Sequence, residues 1–373
     1  MTDPREEKLA KNLVGYSCSV KKGEKVLIEA TDVPSSFLTA LVKEVYAKGA
    51  YPFVQNNDGR VQRELQLGTS KEHCELWAKF DAHRMKDMDC YIGVRGADNN
   101  FETSDVPAEQ QKTYRSVYAH PVHHDIRVGK TKWVVLRYPN PAFAQLNNMS
   151  SDAMEDYFFN VCNLDYSKMD KAMDGLKKLL DKTDKVHLKG PGKTDLHFSV
   201  KGIGAVKCSG ERNIPDGEVY TAPVRTSVQG VIEYNVPSTQ GGTKFENVVL
   251  TFKDGKIIDA KANDTEKINK VFDTDEGARY VGEFAIGVNP FITKACGDIL
   301  FDEKITGSIH FTPGACYEND AANGNKSALH WDLVMIQTPE FGGGEIWFDG
   351  KLIRKDGRFV LKELECLNPE NLK

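Results

Sequence analysis

The sequence predicts an α/β protein in two parts: an N-terminal layered α/β domain on a largely parallel sheet, then a C-terminal mixed α+β domain rich in antiparallel strands. Three observations predict it. Across the first half, short apolar runs alternate with helical patterns, as strands joined by crossover helices do. After Lys185 the texture changes to strands separated by glycine-containing turns, most plainly residues 248–252, the Asp254-Gly255 pair and residues 256–259. A chain of 373 residues also exceeds one ordinary core, which sets the expected domains at 1–184 and 185–373.

In chain order, residues 25–30 (KVLIEA) read as a strand and residues 35–48 (SSFLTALVKEVYAK) as a helix, with Ser35 or Ser36 as its cap and Gly49 as its end. Further strands are expected at 51–55, 90–94 and 133–138, and a helix at 70–80. Residues 151–180 are helical in pattern, and Met169, Met173, Leu176, Leu179 and Leu180 form one apolar stripe that reads as core. Asp349-Gly350 and Asp356-Gly357 place a small antiparallel meander near the C-terminus.

Several function classes fall away. A net charge of −5 gives no electrostatic reason to expect nucleic acid, and small or peptide ligands fit better. Residues 1–11 are charged and lack the pattern of a secretory signal, and no apolar run approaches the ~20 residues that span a bilayer. The eight cysteines are scattered with no C-x-x-C pair, so they read as reduced packing residues of a cytoplasmic protein. Residues 31–34 (TDVP) lack the glycines of a dinucleotide loop. Gly129-Lys130-Thr131 mimics the end of a phosphate loop but has His124 where the upstream glycine is required.

The second half carries five potential metal ligands in four short segments. In residues 327–336 (SALHWDLVMI), His330 and Asp332 are two apart on an expected strand, so both project to one face while Leu329, Trp331 and Leu333 project to the other. In residues 307–314 (GSIHFTPG), His310 points away from Ile309 and Phe311 by the same alternation. Glu283, in residues 280–290 (YVGEFAIGVNP), shares its face with Ala285 and Gly287, which leave space for a bound group. Glu218 follows the Asp216-Gly217 turn at the start of a strand. Two imidazoles and three carboxylates suit borderline divalent ions, zinc or cobalt first and manganese or magnesium next. His123, His124 and Asp125 imitate such a set, but adjacent residues on a strand face opposite sides, so the trio reads as a polar loop or interdomain contact. His73, His83, His120, His187 and His197 also read as ordinary polar residues.

The segments NIPDGEVYTAP, YVGEFAIGVNP, DEKITGSIHFTPGACY and SALHWD, in that order, resemble the thermophilic aminopeptidase family. The likeness extends more weakly to Thr131-Lys132-Trp133 and to residues 191–196 (PGKTDL). The resemblance implies a dinuclear metal centre on Glu218, Glu283, His310, His330 and Asp332, with Tyr317 as a further active-site residue. It implies a homodimer in which the N-terminal domain of one chain helps enclose the partner's site, and short peptides with a free N-terminus as substrates. This chain departs from many relatives in being shorter, with a compact gap between Tyr317 and His330, so side-chain preference does not carry over.

The expected activity is therefore that of a metalloaminopeptidase in which water activated at two ions hydrolyses the first peptide bond. Glu283 is assigned as general base and Glu218 as a structural or bridging ligand, roles that could be exchanged. Tyr317 is expected to donate to the developing oxyanion. Two other readings use the same residues: a mononuclear iron(II) ring-cleaving dioxygenase, needing only two histidines and one acid, and a non-enzymatic peptide-binding module.

Overall fold

The computed structural model describes residues 3–373, and its internal contacts divide the chain into two compact units. The first runs through Asn163 and includes Gly210–Pro215; the second comprises Leu164–Ser209 and Asp216–Lys373. The division thus lies upstream of residue 184. A short segment from beyond it belongs to the first unit, so no single cut in the sequence describes the arrangement.

In the first unit the expected strands are Lys25–Thr31, Tyr51–Asn57, Cys90–Arg95 and Lys132–Arg137. They pair in parallel in the order second, first, third, fourth, and Asn213–Ile214 adds a fifth beside Lys132–Arg137. That fifth strand is too short to show any period in the sequence. Helix Ser35–Ala47 has Pro34 at its N-cap and no side-chain cap; Ser36 Oγ instead donates to Glu6 Oε1 at 3.0 Å. Gly49 ends the helix at φ 68°, its N–H donating to Tyr46 O.

The polar loop expected around His123 is part of a helix, Tyr114–Val128, wound in the wide π manner. Tyr118, Val122 and Ile126 recur every fourth residue and pack on Cys74, Ala78 and Met85 of helix Lys71–Lys86. Pro121 inside the segment masks this stripe in the sequence. His123 turns toward Tyr91 and Tyr118, while His120 and His124 stack on each other with Asp125 nearby.

The helical pattern at 151–180 is two helices, Ser151–Cys162 and Tyr166–Leu180, capped by Ser150 and Asp165. The second of these opens the second unit, which is built on two large antiparallel sheets, with a two-stranded ribbon of Ser238–Gln240 and Thr243–Phe245 besides. One has eight strands in the order Lys256–Lys261, Val249–Lys253, Gln229–Glu233, Asp195–Ser199, Lys185–Lys189, Glu345–Phe348, Lys351–Lys355 and Arg358–Phe359. At the three hairpin turns Asp254-Gly255, Asp349-Gly350 and Asp356-Gly357 both residues have positive φ, 49–50° at the aspartate and 78–81° at the glycine, as tight hairpins require.

The other sheet has five strands, in the order Val334–Ile336, Ser308–Pro313, Val281–Gly287, Glu218–Thr221 and Val206–Cys208. The two sheets meet through aromatic rings: Phe198 lies 5.1 Å from both Phe284 and Phe311, and Phe252 lies 5.9 Å from Phe311. Each such buried ring contributes about 1.5–3 kcal/mol. Because side chains alternate along a strand, burying Phe284 and Phe311 between the sheets turns Glu283 and His310 to the other face.

Candidate metal centre

Each of the five sequence-identified donors reaches one region of the five-stranded sheet. Glu218 opens its strand, directly after the Asp216-Gly217 turn, and pairs in register with Gly287. Glu283 lies beside a bulge in the central strand, opposite Thr312. His310 sits between Ala285 and Val334 on the neighbouring strands. His330 and Asp332 are extended but precede the strand proper, which begins at Val334. His330 forms an isolated bridge with Gly314, and the backbone bonds Trp331 N to Pro313 O and Phe311 N to Leu333 O carry the alternation through. Leu329, Trp331 and Leu333 are accordingly buried. Gly314, at φ 111°, permits this approach, since a Cβ there would lie 2.1 Å from Leu329 O.

Gly287 serves a different purpose from the one its spacing suggests. A Cβ at this position would meet Ile305 O at 2.4 Å and Ser308 Oγ at 2.8 Å, so the glycine admits close main-chain packing and leaves no room for a bound group.

Glu218, Glu283 and His310 are almost fully buried, and His330 and Asp332 are partly so. Glu283 Oε1 lies 3.3 Å from His310 Nε2, and its other oxygen lies 3.3 Å from His330 Nε2. His310 Nε2 is 3.5 Å from Glu218 Oε2, and His330 Nε2 is 3.3 Å from Asp332 Oδ1. The donors thus fall into two groups that share Glu283: Glu218, Glu283 and His310 in one, Glu283, His330 and Asp332 in the other. His330 Nδ1 lies 2.8 Å from Ala315 O, and donation there leaves the Nε2 lone pair directed at the acids. Glu218 Oε2 and His330 Nε2 are buried and have no hydrogen-bond partner. Orphaned oxygen and nitrogen donors in a mixed N/O set fit divalent cations.

The electrostatics agree with that fit. Burial opposes protonation of His310, but Glu218 and Glu283 outweigh it and raise the imidazole to about 9; His330 is raised to about 12 against burial, by Asp332 and Glu283. Burial would raise the Asp332 and Glu283 carboxyls, yet the histidines hold both below their ordinary range. Positive charge is what this cluster lacks, and in its absence protons on the histidines supply it.

Sequence reasoning missed the layer behind these donors. Lys304, 1% exposed, places Nζ 2.5 Å from Glu218 Oε1, 2.7 Å from Glu303 Oε1 and 3.5 Å from Asp216 Oδ1. Nothing in a Glu-Lys dipeptide foretells such burial. Thr312 Oγ1 donates to Asp332 Oδ1 at 2.8 Å; its position two residues beyond His310, on the same face, was the available signal. Tyr317 is half-exposed, with its ring 5.1 Å from that of His330 and 5.3 Å from that of Tyr220. Desolvation and the charges of Glu283 and Asp332 push its hydroxyl well above the usual phenol value, so it stays a proton donor. The eight cysteines are free thiols, and among the described residues no helix is long and apolar enough to cross a membrane.

Known proteins resemble this chain over nearly all of its length. The chain is 27% identical to aminopeptidase PepS of Streptococcus thermophilus, covering 95% of each chain, and 26% identical to aminopeptidase T of Thermus thermophilus, covering 95% of this chain and 98% of that one. Wild-type AmpT from Thermus thermophilus superposes with a TM-score of 0.79 at 23% identity, over 96% of this chain and 99% of that one. A 2,5-dihydroxypyridine dioxygenase from Pseudomonas putida has the same fold, with a TM-score of 0.62 at 12% identity over 96% and 98% of the two chains. Residues 2–359 match the family of thermophilic metalloproteases (M29), and with that match running through all four donor segments, the chain belongs to this metallopeptidase family.

Proposed function

We propose that the chain is an aminopeptidase that removes the N-terminal residue of short peptides, with two divalent ions, zinc or cobalt, held by Glu218, Glu283, His310, His330 and Asp332. The observation that carries this reading is the sharing of Glu283: one carboxylate oxygen faces each histidine, and each histidine has a further acid of its own. One ion would need only one of the two groups. Bound there, the ions would supply an acidified water at neutral pH and a Lewis acid for the scissile carbonyl.

The remaining work belongs to the chain. Its three carboxylates offer negative charge to a substrate's free α-ammonium, which favours cleavage next to the N-terminus. With one oxygen facing each histidine, Glu283 would help hold both ions and so suits the role of shared ligand better than that of general base. Glu218 is then the carboxylate assigned to accept the water's proton, the exchange of roles that the sequence left open, and its Oε2 accepts no hydrogen bond within the chain. Lys304 pins the other Glu218 oxygen and fixes its direction. Tyr317 donates to the oxyanion. By the family resemblance the enzyme works as a homodimer, with the N-terminal domain in dimerisation and substrate enclosure; eight free thiols suit a cytoplasmic location.

Release of a coloured amine from aminoacyl anilides, lost with a chelator and restored by zinc or cobalt, tests the activity. Blocking the substrate amine by acetylation should abolish cleavage. No release across several amino acids and metals would leave the peptide-binding reading. One iron per chain with oxygen uptake would favour the dioxygenase reading, which the five-donor set disfavours because two histidines and one carboxylate suffice for that chemistry.

A further inference from the structure

A second set of metal-binding side chains lies on the opposite side of the same unit. His187 and His197 are register partners on the paired antiparallel strands Lys185–Lys189 and Asp195–Ser199, the two middle strands of the eight-stranded sheet. Asp195 is two residues from His197 and shares its face. The alternate residues Val186, Leu188, Leu196 and Phe198 are buried, so the histidines and the aspartate face outward.

The three side chains converge. Asp195 Oδ1 lies 2.7 Å from His187 Nε2 and 3.2 Å from His197 Nε2, and the two rings stack at 3.8 Å and 20°. One donor atom from each residue falls within 4.8 Å of the others. Bond lengths of about 2.0–2.2 Å put neighbouring donors about 3.3 Å apart around a tetrahedral ion, so only a small opening of the cluster is required. Strands on both sides hold the backbone, which reduces the ordering that binding demands.

We propose that His187, Asp195 and His197 form a solvent-facing site for one divalent transition-metal ion of the zinc or copper class. Two imidazoles and one carboxylate match such ions and suit magnesium or calcium poorly. With Asp195 at 64% and His197 at 57% side-chain exposure, water completes the coordination, and the ion enters and leaves without unfolding. Lys189, the register partner of Asp195, is the cation nearest in the pattern, and Glu345, the partner of Lys189 on the next strand, offsets it. The site is weaker than the buried centre and fills after it. It does not rest on the proposed peptidase activity, because none of its residues takes part in that centre.

The test uses the full chain stripped of metal and dialysed against Zn2+. At saturation, His187→Ala and His197→Ala should each bind one ion fewer per chain than wild type, with anilide hydrolysis unchanged. A second readout is local: Trp347 is the register partner of His187 on the adjoining strand, so bound Cu2+ should quench its emission. That part of the quenching should vanish in both histidine variants and in Trp347→Phe. Equal Zn2+ stoichiometry and affinity in wild type and both histidine variants, or Cu2+ quenching indifferent to all three substitutions, overturns the proposal.

Discussion

His330-x-Asp332 and Asp195-x-His197 place the same two residue types at the same spacing on extended chain, and each pair gains a further donor from another strand, Glu283 for the first and His187 for the second. Their surroundings differ. The first pair faces Glu283, which is 2% exposed, and His310, which is 1% exposed, and atoms there have lost water without gaining a partner. The second pair lies in solvent, where Asp195 bridges both imidazoles. Desolvation turns a donor set into a site with a strong demand for cations, because unpaired buried polar atoms and uncompensated charge are costly. The same donors in water bind on the strength of their geometry alone.

The comparison breaks most readily at its shared residue. Glu283→Ala removes a donor from both groups, and hydrolysis should fall at least about 10³-fold, a fraction of what enzymes ordinarily achieve. Metal content should fall with it, and a variant that retains both ions would refute the bridging role.

Lys304→Met deprives the buried acids Asp216 and Glu218, and the partly buried Glu303, of their cation and should lower stability by about 3–5 kcal/mol in the metal-free protein, measured by denaturant unfolding. Added zinc should recover part of that loss, since it supplies positive charge to the same cluster.

Tyr317→Phe should lower kcat by about 10²-fold or more with KM little changed, as expected for a lost oxyanion donor. Unchanged turnover would remove Tyr317 from the mechanism.

The metal-free protein should also show a pH signature. His310 and His330 have folded-state pKa values raised above the ordinary 6.5, so their contribution is fully present below about pH 6.5 and is lost as pH rises through about 9 and then about 12. Chelated protein should therefore lose stability between about pH 6.5 and 9, and zinc-loaded protein should not. A flat profile for the chelated protein would contradict the charge account. At the small end, His197→Ala on the outer sheet should change stability by no more than about 0.5 kcal/mol without metal, in contrast to any substitution at the buried centre.

Much of this was legible in residue order. Tight two-residue hairpin turns require positive φ, which Asp-Gly adopts readily, so Asp254-Gly255, Asp349-Gly350 and Asp356-Gly357 between apolar runs announced their hairpins. The alternation around His310 and His330 foretold which side chains would pack and which would face the site. The helix at 114–128 was hidden because Pro121 interrupts its pattern and its stripe repeats at four residues, wider than the usual helical period.

By itself the sequence determined the two kinds of sheet, the faces of the donor strands and, through its four donor segments, the family, because these depend on local periodicity and on the order of residues. Only the tertiary structure decided that Glu283 lies between two histidines, that Lys304 stands buried behind Glu218, and that His187 meets His197 across a strand boundary. Strand neighbours and burial arise from chain segments far apart in sequence, and no local pattern encodes which of them will meet.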